Sequence, residues 1–164
     1  MSLAKPVTLL ALIAGLGYWA WTVFFPSPEE QIKTALMELA QAASFPSNEK
    51  NLARLGAINK VPTFFHTNAV VRIDNDRYSG SLRGKQEIRQ AVAGSRTVAS
   101  SLKIELTDPK VTLKSPSTAT VLITATVYVD GDPTPQMQIL RFEMIEGKRK
   151  WLVKEVNPID LNDI

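Results

Sequence analysis

Thr118 to Val129 reads TATVLITATVYV, Asp130-Gly131-Asp132-Pro133 follows it, and Gln136 to Glu146 reads QMQILRFEMIE. A run dominated by Thr, Val and Ile favours extended backbone, because side chains branched at Cβ fit a pleated surface better than a helix. Asp-Gly followed by Pro is turn chemistry, so the two runs read as one hairpin. Gly147-Lys148 turns the chain again, and Lys150 to Val156 makes a last strand. Upstream, Leu102, Ile104 and Leu106 alternate with Lys103, Glu105 and Thr107, and Val111 and Leu113 continue that ribbon past the Asp108-Pro109 interruption. The C-terminal half is thus a meander of long antiparallel strands.

Helices precede it. In Ser27-Pro28-Glu29-Glu30, Ser27 suits an N-cap, Pro28 the first helical position and Glu30 the third, a capping box. Ile32, Ala35, Leu36, Leu39 and Ala43 then recur on one helical face. Phe45-Pro46-Ser47-Asn48 breaks this helix and starts a second, capped by Ser47, with Leu52, Leu55 and Ile58 as its buried stripe and Lys50, Arg54 and Lys60 on its polar side. Ala69 to Ile73 is a short strand closed by an Asp74-Asn75-Asp76 turn, and Gly84-Lys85-Gln86-Glu87 opens a third helix carrying Ile88, Ala91 and Val92 on one face. Helices first and a strand meander second make an α+β domain, with about three helices against one face of a curved antiparallel sheet.

Val7 to Phe25, VTLLALIAGLGYWAWTVFF, is of another kind: 19 residues without a charge. As a helix it would extend roughly 29 Å at 1.5 Å per residue, close to the ~30 Å hydrocarbon core of a bilayer. Tyr18, Trp19, Trp21, Phe24 and Phe25 gather at its C-terminal end, where amphipathic rings favour the membrane–water interface, and Pro26 stops the helix. A cleaved secretory signal competes, but its cleavage site needs small residues where these aromatic ones stand. A buried core helix would alternate apolar with polar positions, and this stretch does not. Lys5 before the span, with Glu29 and Glu30 after it, favours an N-terminus inside. The organisation expected is residues 1–6 cytoplasmic, 7–25 spanning a bacterial inner membrane once, a linker over 26–28, a globular domain over 29–158 in the periplasm, and a tail over 159–164. Ala11 and Gly15 form a small-xxx-small pair that would let a second helix approach.

Composition removes several chemistries. The 164 residues contain no Cys and a single His, His66, which excludes disulfides, thiolate metal sites and any site needing two imidazoles from one chain. The mean hydropathy of −0.03 averages the apolar stretch with an ordinary globular remainder. Lys5 is the one charged residue before Glu29, so the remainder carries 18 basic and 16 acidic side chains. No basic groove with interleaved aromatics stands out, and nucleic acid is not an expected partner. Neither a cofactor nor a metal site is expected.

Two stretches carry a family resemblance. Ser79-Gly80-Ser81-Leu82-Arg83-Gly84-Lys85-Gln86-Glu87-Ile88 looks like a short strand leading into a Gly-x-x-x-Ile helix start. Met137 to Met144, then Glu146-Gly147-Lys148 and Lys150-Trp151-Leu152-Val153, looks like a closing hairpin in which Trp follows a Gly-containing turn. Together with the element order they resemble the nuclear transport factor 2-like, or SnoaL-like, superfamily over about residues 29–158. The resemblance implies a cone-shaped cavity, frequent dimerisation through the sheet, and functions that range from small-molecule isomerases and hydrolases to catalytically silent modules of membrane assemblies. Fold therefore leaves function open.

Among candidate site residues, an acid/base reading draws on His66 and Asp74, with Arg72 and Tyr78 as further pocket candidates. The plainer reading makes His66 a surface loop residue beside Thr67 or Asn68, and Asp74 and Asp76 part of a solvated turn. Arg141 and Glu143 alternate with Leu140, Phe142 and Met144, so they face away from the core, where the plainer reading is a solvated cross-strand ion pair and the functional one an association surface. No catalytic set is compelling. The leading expectation is a membrane-anchored, non-enzymatic domain that docks onto envelope or membrane-complex proteins as an accessory subunit, with a homodimer as a further option. The alternative is a small-molecule-binding or isomerase/hydrolase-like cone.

Overall fold

The computed structural model describes residues 12–17, 26–75 and 78–159. Ser27 caps helix α2 (Pro28–Ala43) as anticipated: its hydroxyl accepts the Glu30 amide at 3.3 Å, and Pro28 opens the helix. Ile32, Leu36, Leu39 and Ala40 of α2 are buried. The helix ends where Phe45 pairs with Leu102, which fastens its C-terminus to the start of strand β3 (Leu102–Ser115).

The next helix departs from the sequence reading. α3 runs Asn51–Lys60, and Ser47 and Asn48 form a turn ahead of it instead of its cap. Lys50 takes the N-cap position without a side-chain bond. No residue of α3 is buried, and Leu52 and Leu55 point outward at 83% and 57% exposure. What faces the body is Arg54, Ala57 and Ile58, each half-buried. A one-turn 3₁₀ helix, Val61–Phe64, then delivers Phe64 and Phe65 into the core.

Strand β1 is longer than Ala69 to Ile73. It spans Phe65–Asn75 and pairs antiparallel with β2 (Tyr78–Arg83), so His66 belongs to a strand and not to a loop. α4 (Gly84–Val98) follows without a linker. Gly84 has φ +70°, and a Cβ there would stand 3.2 Å from the Thr67 carbonyl oxygen, so a residue free of Cβ suits this corner. β3 continues through Asp108-Pro109, because a register shift between Thr107 and Lys110 absorbs the interruption and Asp108 takes φ 54°. β4 (Thr118–Val129) and β5 (Gln136–Glu146) match the expected hairpin, and β6 (Trp151–Ile159) runs three residues past Val156.

The six strands form one curved, cone-like sheet in the order β2-β1-β6-β5-β4-β3. The expectation of a purely antiparallel sheet is corrected at one seam. β1 and β6 run parallel, with Phe65 opposite Val153 and Val71 opposite Val156. Two antiparallel ribbons, β1–β2 and β3–β6, are joined by α4, and the strands that meet at their edges happen to point the same way. Inward residues of β4 (Ala119, Val121, Ile123, Ala125) alternate with Thr118, Thr120, Leu122 and Thr124 on the outer face. α2, the 3₁₀ turn and α4 cover the inner face, and Trp151, Phe142, Met144, Val153 and Val156 complete the core.

Of the apolar stretch, residues 12–17 are described, and they are helical (α1). No helix among the described residues is long and apolar enough to cross a membrane. Ala11, Tyr18, Trp19, Trp21, Phe24 and Phe25 lie outside the described residues, as do 1–6 and 160–164. Around Gly15 a Cβ would meet nothing within 4 Å.

Candidate functional site

The interior of the cone is where a pocket was anticipated, and the core that packs under the sheet is built from large side chains. Trp151, Ile32, Leu36, Val121 and Val153 are the largest fully buried side chains. Among the described residues one charged side chain is buried. Arg96 on α4 is buried, its Nε 3.1 Å from a Glu49 carboxylate oxygen, its Nη groups donating to the Ala42 and Val92 carbonyls, and its guanidinium 4.6 Å from the Phe45 ring centre. Each guanidinium nitrogen has a partner, two of them at the α2–α3 corner and one on α4's own backbone, so Arg96 is a structural clamp. No buried side-chain nitrogen or oxygen among the described residues lacks a partner, and none of them form a cluster of three potential metal ligands.

The acid/base candidates do not converge. His66 Nδ1 accepts the Asn68 amide at 3.3 Å, which leaves Nε2 as its donor when neutral. Asp74 lies exposed at the far end of the same strand, eight residues and more than about 20 Å away along the backbone. One small ligand would not reach both. The Asp74 backbone carbonyl accepts the Gln138 side-chain amide at 3.0 Å. Tyr78 opens β2 opposite Asn75, and Asp76 lies outside the described residues. Arg72 points away from the core and pairs with Glu155 and Asn157.

Arg141 and Glu143 stand on the outer face of the sheet, opposite in direction to Phe142 and Met144. They belong to a polar band crossing five strands. Lys114 on β3 reaches Glu143 at 3.0 Å, Thr120 on β4 donates to the same carboxylate at 3.0 Å, and Glu143 lies cross-strand from Glu155, whose partners are Arg72 on β1 and Asn157. The hydrogen bonds from Arg72 and then Asn157 hold the Glu155 carboxyl below the usual carboxylate range. Two carboxylates face each other here, and each has its own cation. Lys114, Thr120, Glu155 and Asn157 were missed in the sequence because membership of the band depends on strand order and register; alternation alone identified Arg141 and Glu143.

A cavity of about 580 Å³ opens elsewhere, between the α2–α3 corner and the β4–β5 turn. Phe45, Pro46, Leu102, Tyr128 and Pro133 supply apolar walls, and Lys103 and Asp132 stand at its edge. The Lys103 ammonium lies 2.6 Å from Glu105 and 5.6 Å from the Tyr128 ring centre, and the Glu105 hydrogen bond raises its pKa. Asp130 braces the turn by accepting the Ser101 amide at 3.0 Å and the Ser100 amide and hydroxyl at 2.6 and 2.8 Å; these bonds, that of Ser101 first, lower its pKa. In the sequence, Asp130-Gly131-Asp132-Pro133 reads as turn chemistry alone. The wall exists because Phe45 is brought to Leu102 by tertiary pairing.

No protein-family model and no curated protein sequence matches the chain. Solved structures do match it. A candidate aromatic ring hydroxylase from Novosphingobium aromaticivorans superposes with a TM-score of 0.66 at 17% identity, covering 81% of this chain and 88% of that one. An NTF2-like protein with a cystatin-like fold, from the same organism, gives 0.65 at 12% identity over 99% and 92%. A candidate dehydratase from the NTF2-like family of Streptomyces avermitilis gives 0.61 at 14% identity over 80% and 96%. At these identities the likeness is one of fold. The domain has the nuclear transport factor 2-like, cystatin-like fold.

Proposed function

We propose that this chain is a non-enzymatic association domain, held at a bacterial cytoplasmic membrane by a single span over 7–25 with the domain on the periplasmic side. It docks onto envelope or membrane-complex proteins as an accessory subunit. The observation that supports the reading is the packed core under the sheet, where Trp151, Ile32, Leu36, Val121 and Val153 are fully buried. His66 and Asp74 are too far apart to serve one reacting centre. The outer sheet face, with Arg141 and Glu143 among alternating charges, is the surface offered to a partner or a second copy. Purification of the full chain from its membrane in mild detergent tests this. A co-purifying protein or dimer that is lost on Arg141→Ala with Glu143→Ala, without loss of folding, is the expected result. A free monomer from native membrane would end the proposal.

The cavity beside Tyr128 favours a second reading, a small apolar ligand bound outside the cone, in keeping with neighbours named as candidate hydroxylases and dehydratases. Titration with aromatic fragments, followed by NMR on the β4–β5 turn, would separate the two; Tyr128→Ala should abolish any shift.

A further inference from the structure

The outward face of α3 lacks a protein partner within the described fold. Leu52 is 83% exposed and Leu55 57%, one turn apart, and Gly56 next to Leu55 opens onto space. Arg54 donates to the Arg96 carbonyl at 2.6 Å and so ties α3 to the last turn of α4, where Val98 is 89% exposed. Single exposed leucines are ordinary; two on one face of a short helix beside a bare valine are an apolar patch.

The charge carried by α3 and its N-cap residue has one sign. Lys50, Arg54 and Lys60 lie on or next to α3, and no carboxylate occurs in the chain between Glu49 and Asp74. Glu49 itself is taken up by Arg96. Beyond the helix C-terminus, Lys60 and Lys85 both repel Lys150, which burial first of all, then these two lysines, push down in pKa against the pull of Glu38. Lys148 and Arg149 extend this basic rim at the β5–β6 turn. Leucines at the centre of a face bordered by cations form the pattern of a helix lying in the headgroup layer of an anionic bilayer. The tether adds proximity: two residues, Pro26 and Ser27, separate Phe25 from α2, so a spanning segment would hold the domain against the surface at high effective concentration.

We infer that α3 is a bilayer-docking face, on which Leu52 and Leu55 enter the acyl boundary of an anionic phospholipid membrane while Lys50 and Lys60 meet its phosphates. This rests on the proposed span over 7–25. The absence of cysteine allows a clean test in the full chain. Leu52→Cys, and separately Thr112→Cys on the outer sheet face, would carry an environment-sensitive fluorophore in vesicles of phosphatidylcholine with and without phosphatidylglycerol. Expected is a several-fold stronger quenching by brominated lipid at position 52 than at 112. It should require the anionic lipid and weaken with Lys50→Glu plus Lys60→Glu. If the chain floats with vesicles and resists salt extraction while position 52 stays unquenched, docking is overturned and the span survives. If the chain does not float, the span fails and docking falls with it. A cross-link from position 52 to a protein in native membranes, with no quenching in protein-free vesicles, would assign the face to that protein and also overturn lipid docking.

Discussion

Helices α2 and α3 follow each other in the chain, and both repeat apolar residues at helical spacing, yet they are held by different physics. α2 buries Ile32 and Leu36 to 0% and 1% exposure between the 3₁₀ turn and the sheet. α3 turns its leucines out and is fastened by arginines: Arg54 to the Arg96 carbonyl, and Arg96 to Glu49 just ahead of the helix. An apolar stripe marks which face of a helix would gain from burial; it does not supply the surface that buries it. In this fold the inner face of the sheet has room for α2, the 3₁₀ turn and α4. α3 is left spanning the outside of the corner, where polar fastening costs it little.

The contrast can be broken from either side. The largest effect should come from Arg96→Ala, which strands Glu49 in a nearly closed site and removes the side-chain links to Glu49 and Ala42 ahead of α3: about 3–5 kcal/mol of stability lost in urea unfolding, with a smaller total loss than the sum when combined with Glu49→Gln. Next is Leu36→Ala, about 2–5 kcal/mol for a cavity against the sheet, set beside Leu52→Ala, which should stay within about 0.5 kcal/mol. Equal losses for the two leucines would erase the distinction. Hydrogen exchange should then find α3 amides opening before those of α2, since a helix with no buried residue unfolds locally at little cost. Asp130→Asn should give the smallest change and reveal itself through pH. The carboxyl is held below its unfolded value of about 3.9, so its stabilisation is complete above that value and fades as pH falls through the lower folded value. The gap in melting temperature between wild type and Asp130→Asn should therefore be present at neutral pH and close in acid.

Much of the sheet was legible because its signals are local. TATVLITATVYV, the Asp-Gly turn and the alternation of Phe142 and Met144 with Arg141 and Glu143 need only neighbours in sequence, and those strands fall where the pattern places them. Gly147 before Trp151 is likewise readable, and a Cβ there would come within 2.8 Å of the Lys150 carbonyl oxygen. The parallel β1–β6 seam was not legible, since it joins residues 85 to 88 positions apart. Nor were the partners of Glu143, or the cavity between Phe45 and Tyr128, which both depend on strand order.

The sequence by itself determined the element types, the α2 cap, the inward and outward sides of β4 and β5, and the presence of a 19-residue uncharged stretch, because propensity, capping and period-two alternation act over a few residues. Tertiary structure alone decided that Trp151 and α2 pack into the core under the sheet, that His66 and Asp74 stand apart, and that Leu52 and Leu55 remain bare. Those outcomes depend on which surfaces compete for one sheet face, and a one-dimensional pattern carries no record of that competition.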